Sequence, residues 1–394
     1  MPDVELPFSR QEYAARLHRV RQSMQAAGLE VMITCDPSNM AWLTGYDGWS
    51  FYVHQAVVVT LDHPPLWWGR RMDGFGALRT VYMDAVDVIS YCDDYVMVPE
   101  RHAMEHLAGL LRDRGLDKKR IGLELENYYF SAAAYLCLQR ELPNARLTDA
   151  TALVNWQRAV KSAQELVYMG RAARIVERMH TLIAQTIEPG MRKNDLVADI
   201  FHAAIAGTDE FGGDYAAIVP LLPTGKDACA AHLTWNDKPF ERETCTFFEI
   251  AGCYRRYHAP LCRTVYLGTP PRALVEAQSA VMDGVQAGIE AAQPGNVAGD
   301  VARAFHGVLA KAGIHREGRC GYPIGLSYPP DWGERTISFR ESDTTELQPN
   351  MTFHLMPGLW TEDWGLEITE SIVIAESGPA RTLANYPRRL TVKP

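Results

Sequence analysis

The sequence predicts two domains: an α/β unit over residues 1–157 and, over 158–394, an α+β unit whose helices pack on one face of a curved antiparallel sheet. Three observations lead there. A chain of 394 residues is long enough for two sizeable cores. Its first part alternates short apolar strands with helical stretches, whereas from residue 158 long amphipathic helices come in two pairs, each followed by strands. Hydrophobic residues make up 47% of the chain, with Gly and Pro near ordinary frequencies, which excludes disorder.

In order along the chain, SRQEYAARLHRVRQSMQAA (9–27) opens on a Ser cap and carries apolar residues at helical spacing until Gly28, and EVMITCD follows as a strand. PSNMAWLTGYDG reads as a turn, FYVHQAVVVTL and LWWG as strands on either side of His63-Pro64-Pro65. VDVISYCDD, a helix over 100–114 and RIGLELE continue the alternation. RAVKSAQELVYMGRAARIVERMHTLIAQTI then reads as one long helix stopped by Pro189-Gly190, and NDLVADIFHAAIAG as another. Strands are expected around YAAIVPLL, CTFFEIAG and RTVYLG, helices over 272–292 and 297–312, and strands around MTFHLMPG and ITESIVIA. The repeated pattern of two helices followed by strands suggests an internal duplication.

Charge and cysteine usage narrow the function. A net charge of −9 disfavours nucleic acid or an anionic membrane as partner, since both need clustered Lys and Arg. The eight cysteines are scattered, with no CxxC pair, and read as reduced thiols. The stretch MPDVELPFSRQEYAARL has acids where a signal peptide needs a basic start and an apolar run, and nothing in the chain offers about 18 consecutive apolar residues. A soluble, cytoplasmic protein is expected.

The stretch FFEIAGCYRRYHAPLCRT (247–264) poses the functional question. Glu249 ends an apolar strand, where a carboxylate is costly unless it is paired, metal-bound or used in chemistry. Taken with NMAWLTGY, RAVKSAQEL, IEPGM, MTFHLMPG and EITESIVI, it resembles the creatinase and prolidase family, the pita-bread hydrolases, along nearly the whole chain. The resemblance implies a homodimer, and in the family's metallopeptidases a pair of metals held by two Asp, one His and two Glu. Those positions fall here on Glu249, Pro260, Tyr322, Met356 and Glu370, with Thr369 as the alternative to the last. Pro, Met and a phenol cannot rebuild a hard-cation site, so no metal and no cofactor are expected.

Metal-independent members of the family hydrolyse compact C–N substrates with a His and acids in the same cavity. The resemblance places that His at His232 and a substrate-carboxylate Arg at Arg340, and it implies a cyclic amidine, ectoine or its hydroxylated form, as the small-molecule substrate. Glu249 and Glu370 would then hold the amidinium, with Glu249 as nucleophile or as the base that prepares water. His232 would shuttle the proton. Tyr322, Trp332, Trp360, Trp49 and Tyr52 would line the substrate, the last two from across a dimer interface, with cation–π contact from the aromatics. His258 and Arg263 would orient Glu249.

Each residue also has a purely structural reading. Glu249 could pair with Arg255 or Arg256, Arg340 with Glu341 or Asp343, Glu370 could cap or pair near a strand end, a structural salt bridge could account for Arg263, and the aromatics could be core. HAMEH (102–106) matches the H-x-x-E-H zinc pattern, but without a third ligand it reads as a solvated helix face. The competing functions are a creatinase-like amidinohydrolase, an Xaa-Pro dipeptidase, and an inactive relative that binds a solute or a protein.

Overall fold

A computed structural model describes residues 4–394. By internal packing the chain divides into two compact units, Met1–Arg158 and Ala159–Pro394.

The first unit is built on α1 (Arg10–Ala26), β1 (Val31–Thr34), α2 (Pro37–Thr44), β2 (Ala56–Thr60), β3 (Leu66–Arg70), α3 (Arg71–Thr80), β4 (Val88–Tyr91), α4 (Ala103–Asp113), β5 (Arg120–Leu123), α5 (Ala132–Glu141), β6 (Arg146–Asp149) and α6 (Leu153–Arg158). Its mixed sheet runs β4-β3-β2-β1-β5-β6, antiparallel at β1/β2 and β2/β3 and parallel elsewhere. The strands are apolar on both faces because both are covered. Val31, Ile33, Val58 and Trp68 pack under α4 and α5, while their alternates Met32, Val57, Val59 and Trp67 pack under α1, α2 and α3.

The expected turn at 37–44 is a helix, and its signals are all in the sequence. Asp36 caps it by accepting from Ser38 N–H at 2.7 Å, Pro37 occupies the first turn, and Gly45 closes it at φ +85°. Buried Glu124 anchors the junction, accepting from the backbone N–H of Cys35 (2.7 Å) and Asp36 (2.9 Å). The HAMEH histidines share no site. His102 caps α4 by accepting from Met104 N–H, and His106 Nδ1 accepts from Trp68 Nε1–H at 3.0 Å.

The second unit comprises α7 (Ala163–Thr186), α8 (Lys193–Ala206), β7 (Thr244–Tyr254), β8 (Tyr257–Leu267), α9 (Arg272–Ala291), α10 (Ala298–Lys311), β9 (Gly321–Pro323), β10 (Thr352–Leu355), β11 (Gly358–Trp360), β12 (Gly365–Glu367), β13 (Glu370–Val373), β14 (Arg381–Thr382) and β15 (Thr391–Lys393). The expected single helix from residue 158 starts five residues later, because Ser162 and Glu165 form a capping box, Glu165 N–H on Ser162 Oγ and Ser162 N–H on Glu165 Oε2.

The strands form β15-β8-β7, β14-β13-β10-β9 and the hairpin β11-β12. Each helix pair has its own half: α7 and α8 bury Val176, Met179 and Ile200 against Phe248, Ile250 and Leu261, while α9 and α10 bury Val285, Val301 and Phe305 against Phe353, Leu355 and Ile372. At Gly252 a Cβ would lie 2.0 Å from the carbonyl oxygen of Ala172, so β7 and α7 meet backbone to backbone.

No regular strand forms at YAAIVPLL. Pro220 and Pro223 lack the N–H a ladder needs, and only Leu221 pairs, exchanging both backbone hydrogen bonds with Glu249 at 3.1 and 2.9 Å.

Candidate active site

Glu249 lies in mid-β7 opposite Cys262 of β8, 5% exposed. Its neighbours come from the other half of the unit. Residues 367–369 are riveted to β8: Glu367 N–H donates to Thr264 Oγ1 at 2.9 Å, the Thr264 hydroxyl donates back to Glu367 O at 3.0 Å, and Cys262 N–H donates to Thr369 Oγ1 at 2.8 Å. That docking puts the Glu367 side chain, fully buried, beside Glu249 and the Cys262 thiol.

Neither carboxylate oxygen of Glu367 has a nitrogen or oxygen hydrogen-bond partner, and no hydrogen bond reaches the Glu249 carboxylate among the described residues. The electrostatics follow. Burial pushes the Glu249 carboxyl up to about 7, and burial together with the Glu249 charge pushes Glu367 well above the usual carboxylate range. Two acids in one dry pocket resist being charged together, so the pair titrates as a unit.

Beside the pair, Tyr322 of β9 and His354 of β10 stand directly opposite across an antiparallel register, rings edge to face at 5.4 Å. The phenol oxygen lies 2.9 Å from His354 Nδ1 and accepts from Trp332 Nε1–H at 2.8 Å. His354 Nε2 is 2.7 Å from Thr369 Oγ1. Burial, with the charges of Arg319 and Arg263, pushes His354 down to about 3, so the imidazole is neutral, and its 4.0 Å approach to Glu249 is not an ion pair. Burial and the Glu249 charge keep Tyr322 protonated. The Arg319 guanidinium lies over the Tyr322 ring at 4.7 Å and has no hydrogen-bond or carboxylate partner among the described residues.

The sequence-expected residues divide accordingly. Glu249 and Tyr322 come together, with Trp332 behind Tyr322 as its buried hydrogen-bond donor rather than as an open aromatic face. Glu370 does not share their pocket as a free acid: Arg263 Nη2 binds its Oε1 at 2.7 Å and Arg388 Nε the same atom at 3.1 Å. Arg263 is spent on this role and on the carbonyls of Cys262, Thr369, Tyr386 and Pro387, so it holds Glu370 and the 367–369 segment, not Glu249.

His258 likewise serves the backbone, its Nε2 accepting from Ala217 N–H and its Nδ1 bonding Arg256 O, both at 2.9 Å; burial pushes it down to about 4. His232 is exposed in the turn after a short 3-10 helix, Gly225–Cys229, that packs on the β12 strand bearing Glu367, where a Gly365 Cβ would lie 2.0 Å from Ala228 O. Arg340 is exposed in a turn. Trp360 lines a cleft of about 680 Å³ with Arg316 and Ile314. In the first unit Trp49 and Tyr52 are 64% and 61% exposed.

Glu367, His354 and Arg319 went unassigned in the sequence, and Thr369 entered only as the alternative to Glu370, although the reasoning applied to Glu249, an acid ending an apolar stretch, fits GLE at 365–367 as well.

A metal pair does not fit this donor set. Pro260 offers no side-chain ligand, Tyr322 and Thr369 are committed to hydrogen bonds, Glu370 is held by two arginines, and among the described residues no three His, Cys, Asp or Glu side chains are grouped to hold an ion.

Comparison with known proteins agrees with this architecture. Residues 167–376 match metallopeptidase family M24 and residues 16–160 match the Creatinase/Prolidase N-terminal domain. An ectoine hydrolase of Halomonas elongata is 58% identical, covering 100% of both chains, and an uncharacterized hydrolase/peptidase, y4tM, of Sinorhizobium fredii is 40% identical over 98% of this chain and 99% of its own. Among solved structures, prolidase from Thermococcus sibiricus superposes with a TM-score of 0.84 at 16% identity (98% and 100% covered), and dipeptidase PepE from Mycobacterium ulcerans with 0.81 at 23% (98% and 99% covered). The chain belongs to metallopeptidase family M24, carrying the creatinase/prolidase N-terminal domain ahead of the pita-bread domain in which these two carboxyls meet.

Proposed function

We propose that the protein is a hydrolase that opens the cyclic amidine ring of ectoine, or of its hydroxylated form, to an N-acetylated diaminobutyrate without a metal ion. One observation carries this reading: two buried carboxyls, Glu249 and Glu367, lie side by side with no nitrogen or oxygen hydrogen-bond partner and no paired cation among the described residues, only the weak Cys262 thiol beside Glu367. An amidinium supplies what they lack, N–H donors on a single delocalised cation, and one positive charge matches the one negative charge such a pair holds most easily. A metal ion would instead repel this substrate. The full-length likeness to an ectoine hydrolase supports the same assignment.

Within this reading Glu249 acts at the amidine carbon, as nucleophile or as the base for water, and Glu367 takes the second-acid role expected of Glu370. Ectoine's carboxylate fits Arg319, which is exposed but lies over the Tyr322 ring beside the acid pair, better than the equally exposed Arg340. His232 would shuttle protons after its loop moves inward over β12. The exposed Trp49 and Tyr52 are suited to a homodimer interface, and the absence of cysteine pairing suits a cytoplasmic protein. No helix among the described residues is long and apolar enough to cross a membrane.

Proton NMR of ectoine mixed with exhaustively chelated protein tests this. The ring methyl signal is expected to convert to an acetamide methyl; activity returning only on addition of Mn or Zn, or none with or without metal, would refute it.

A further inference from the structure

Hydrogen-bond direction in the Tyr322 cluster can be settled by counting donors and acceptors. A backbone N–H can only donate, so Thr369 Oγ1 accepts from Cys262 N–H and keeps its own hydrogen to give. The one side-chain acceptor bonded to that hydroxyl is His354 Nε2, at 2.7 Å. His354 is neutral, so with Nε2 accepting its proton is on Nδ1, which therefore donates to the Tyr322 oxygen at 2.9 Å. Trp332 Nε1, a donor only, gives to the same oxygen at 2.8 Å. Both lone pairs of the phenol are then filled, and its O–H has no acceptor among the described residues. The opposite tautomer would leave the Thr369 hydroxyl hydrogen buried without a partner, the costly arrangement of the two.

We infer that Tyr322 is a catalytic residue, a hydrogen-bond donor held ready for the oxygen that becomes the amide carbonyl of the product, and that His354 and Thr369 are positioning residues that force its hydrogen outward. This rests on the reaction proposed above. The phenol oxygen and Glu249 neighbour the same imidazole nitrogen, at 2.9 and 4.0 Å, and the Glu249 charge is felt at the phenol, so one small molecule can touch both. As an oxygen bonds to the amidine carbon and the carbon–nitrogen bond breaks, charge builds on that oxygen. The phenol donates to it without losing its proton, and the proton released by water goes to the departing nitrogen through the carboxylate pair. With its usual acidity suppressed by burial and by Glu249, Tyr322 stays a donor across the working pH range.

The test has two arms. Nitrogen-15 NMR of histidine-labelled protein, with His354→Gln as the assignment control, is expected to show His354 as the Nδ1–H tautomer. The Nε2–H tautomer would overturn the inference, because the phenol would then have to donate inward. In turnover of ectoine, Tyr322→Phe is expected to lower kcat by about 10²-fold or more with KM little changed. Thr369→Val should also lower kcat, Thr369→Ser should restore it, and Thr369→Val should cost nothing further in the Tyr322→Phe background. Additive losses would overturn the positioning role. Absence of turnover by the unmodified protein would sink the proposed substrate instead, while the tautomer arm would still decide the hydrogen-bond direction.

Discussion

Replacing Glu249 by glutamine is expected to abolish turnover and, above neutrality, to stabilise the fold. Burial raises the carboxyl from an ordinary value of 4.5 to about 7. The folded chain therefore holds this proton more tightly than the unfolded chain, and the stability it contributes is complete below about pH 4.5 and lost as pH rises through 7. A gap of about 2.5 pH units at about 1.4 kcal/mol per unit is about 3 kcal/mol, roughly three-quarters of it lost between about pH 5 and about pH 8. Glutamine keeps the shape and carries no charge, so whatever its uncharged burial costs is independent of pH. Urea unfolding of both proteins across this window isolates the effect: the variant should gain about 2 kcal/mol on the wild type from the acid to the alkaline end. A difference that stays flat with pH would show that Glu249 is not the raised acid, and with it would go the argument that the acid pair favours a cation. The same property sets substrate binding, since a protonated pair has no charge for an amidinium; KM should therefore rise as pH falls below about 7.

Further outcomes separate the two acids near the end of the chain. Glu370→Ala should destabilise the second unit by about 3–5 kcal/mol in urea titration, because it leaves Arg263 buried and unpaired, whereas Glu367→Gln should remove turnover while the protein stays folded. Arg319→Ala should raise KM for ectoine at least tenfold with kcat within a few fold, and Arg340→Ala should leave both unchanged; the reverse pattern would return the carboxylate to Arg340. Gly252→Ala should cost several kcal/mol, because the added methyl meets the Ala172 carbonyl, and an unshifted unfolding midpoint would contradict the backbone contact between β7 and α7.

Most of the fold was legible because its signals are local. Ser9 and Gly28 mark helix ends within a few residues of themselves, and the strands of the first unit are uniformly apolar because both sheet faces are covered. The misread stretches carried local signals too: Asp36, Pro37 and Gly45 spell a complete helix, and Pro220 and Pro223 forbid a ladder. The site was harder, because its decisive facts are long-range. GLEITE offers two acids three residues apart, and in an extended chain residues at an odd spacing face opposite ways, so only one could meet Glu249. Which one depends on Arg263, more than 100 residues away in the chain, whose donors take Glu370 and the carbonyls around it.

That allocation links stability to function. The buried Arg263–Glu370 pair holds the segment that carries Glu367 and Thr369, so the cation in this part of the core compensates Glu370 and leaves Glu367, the acid proposed for the reaction, uncompensated. Had Arg263 reached Glu367 instead, the pocket would be neutral and satisfied, with nothing to offer an amidinium. On the proposed reading, the energy lost by leaving Glu249 and Glu367 without a cation or N–H donors is recovered when a cation with N–H donors enters. An isostere lacking either the charge or the N–H groups leaves both carboxyls buried and unpaired, and the site rejects it for that reason.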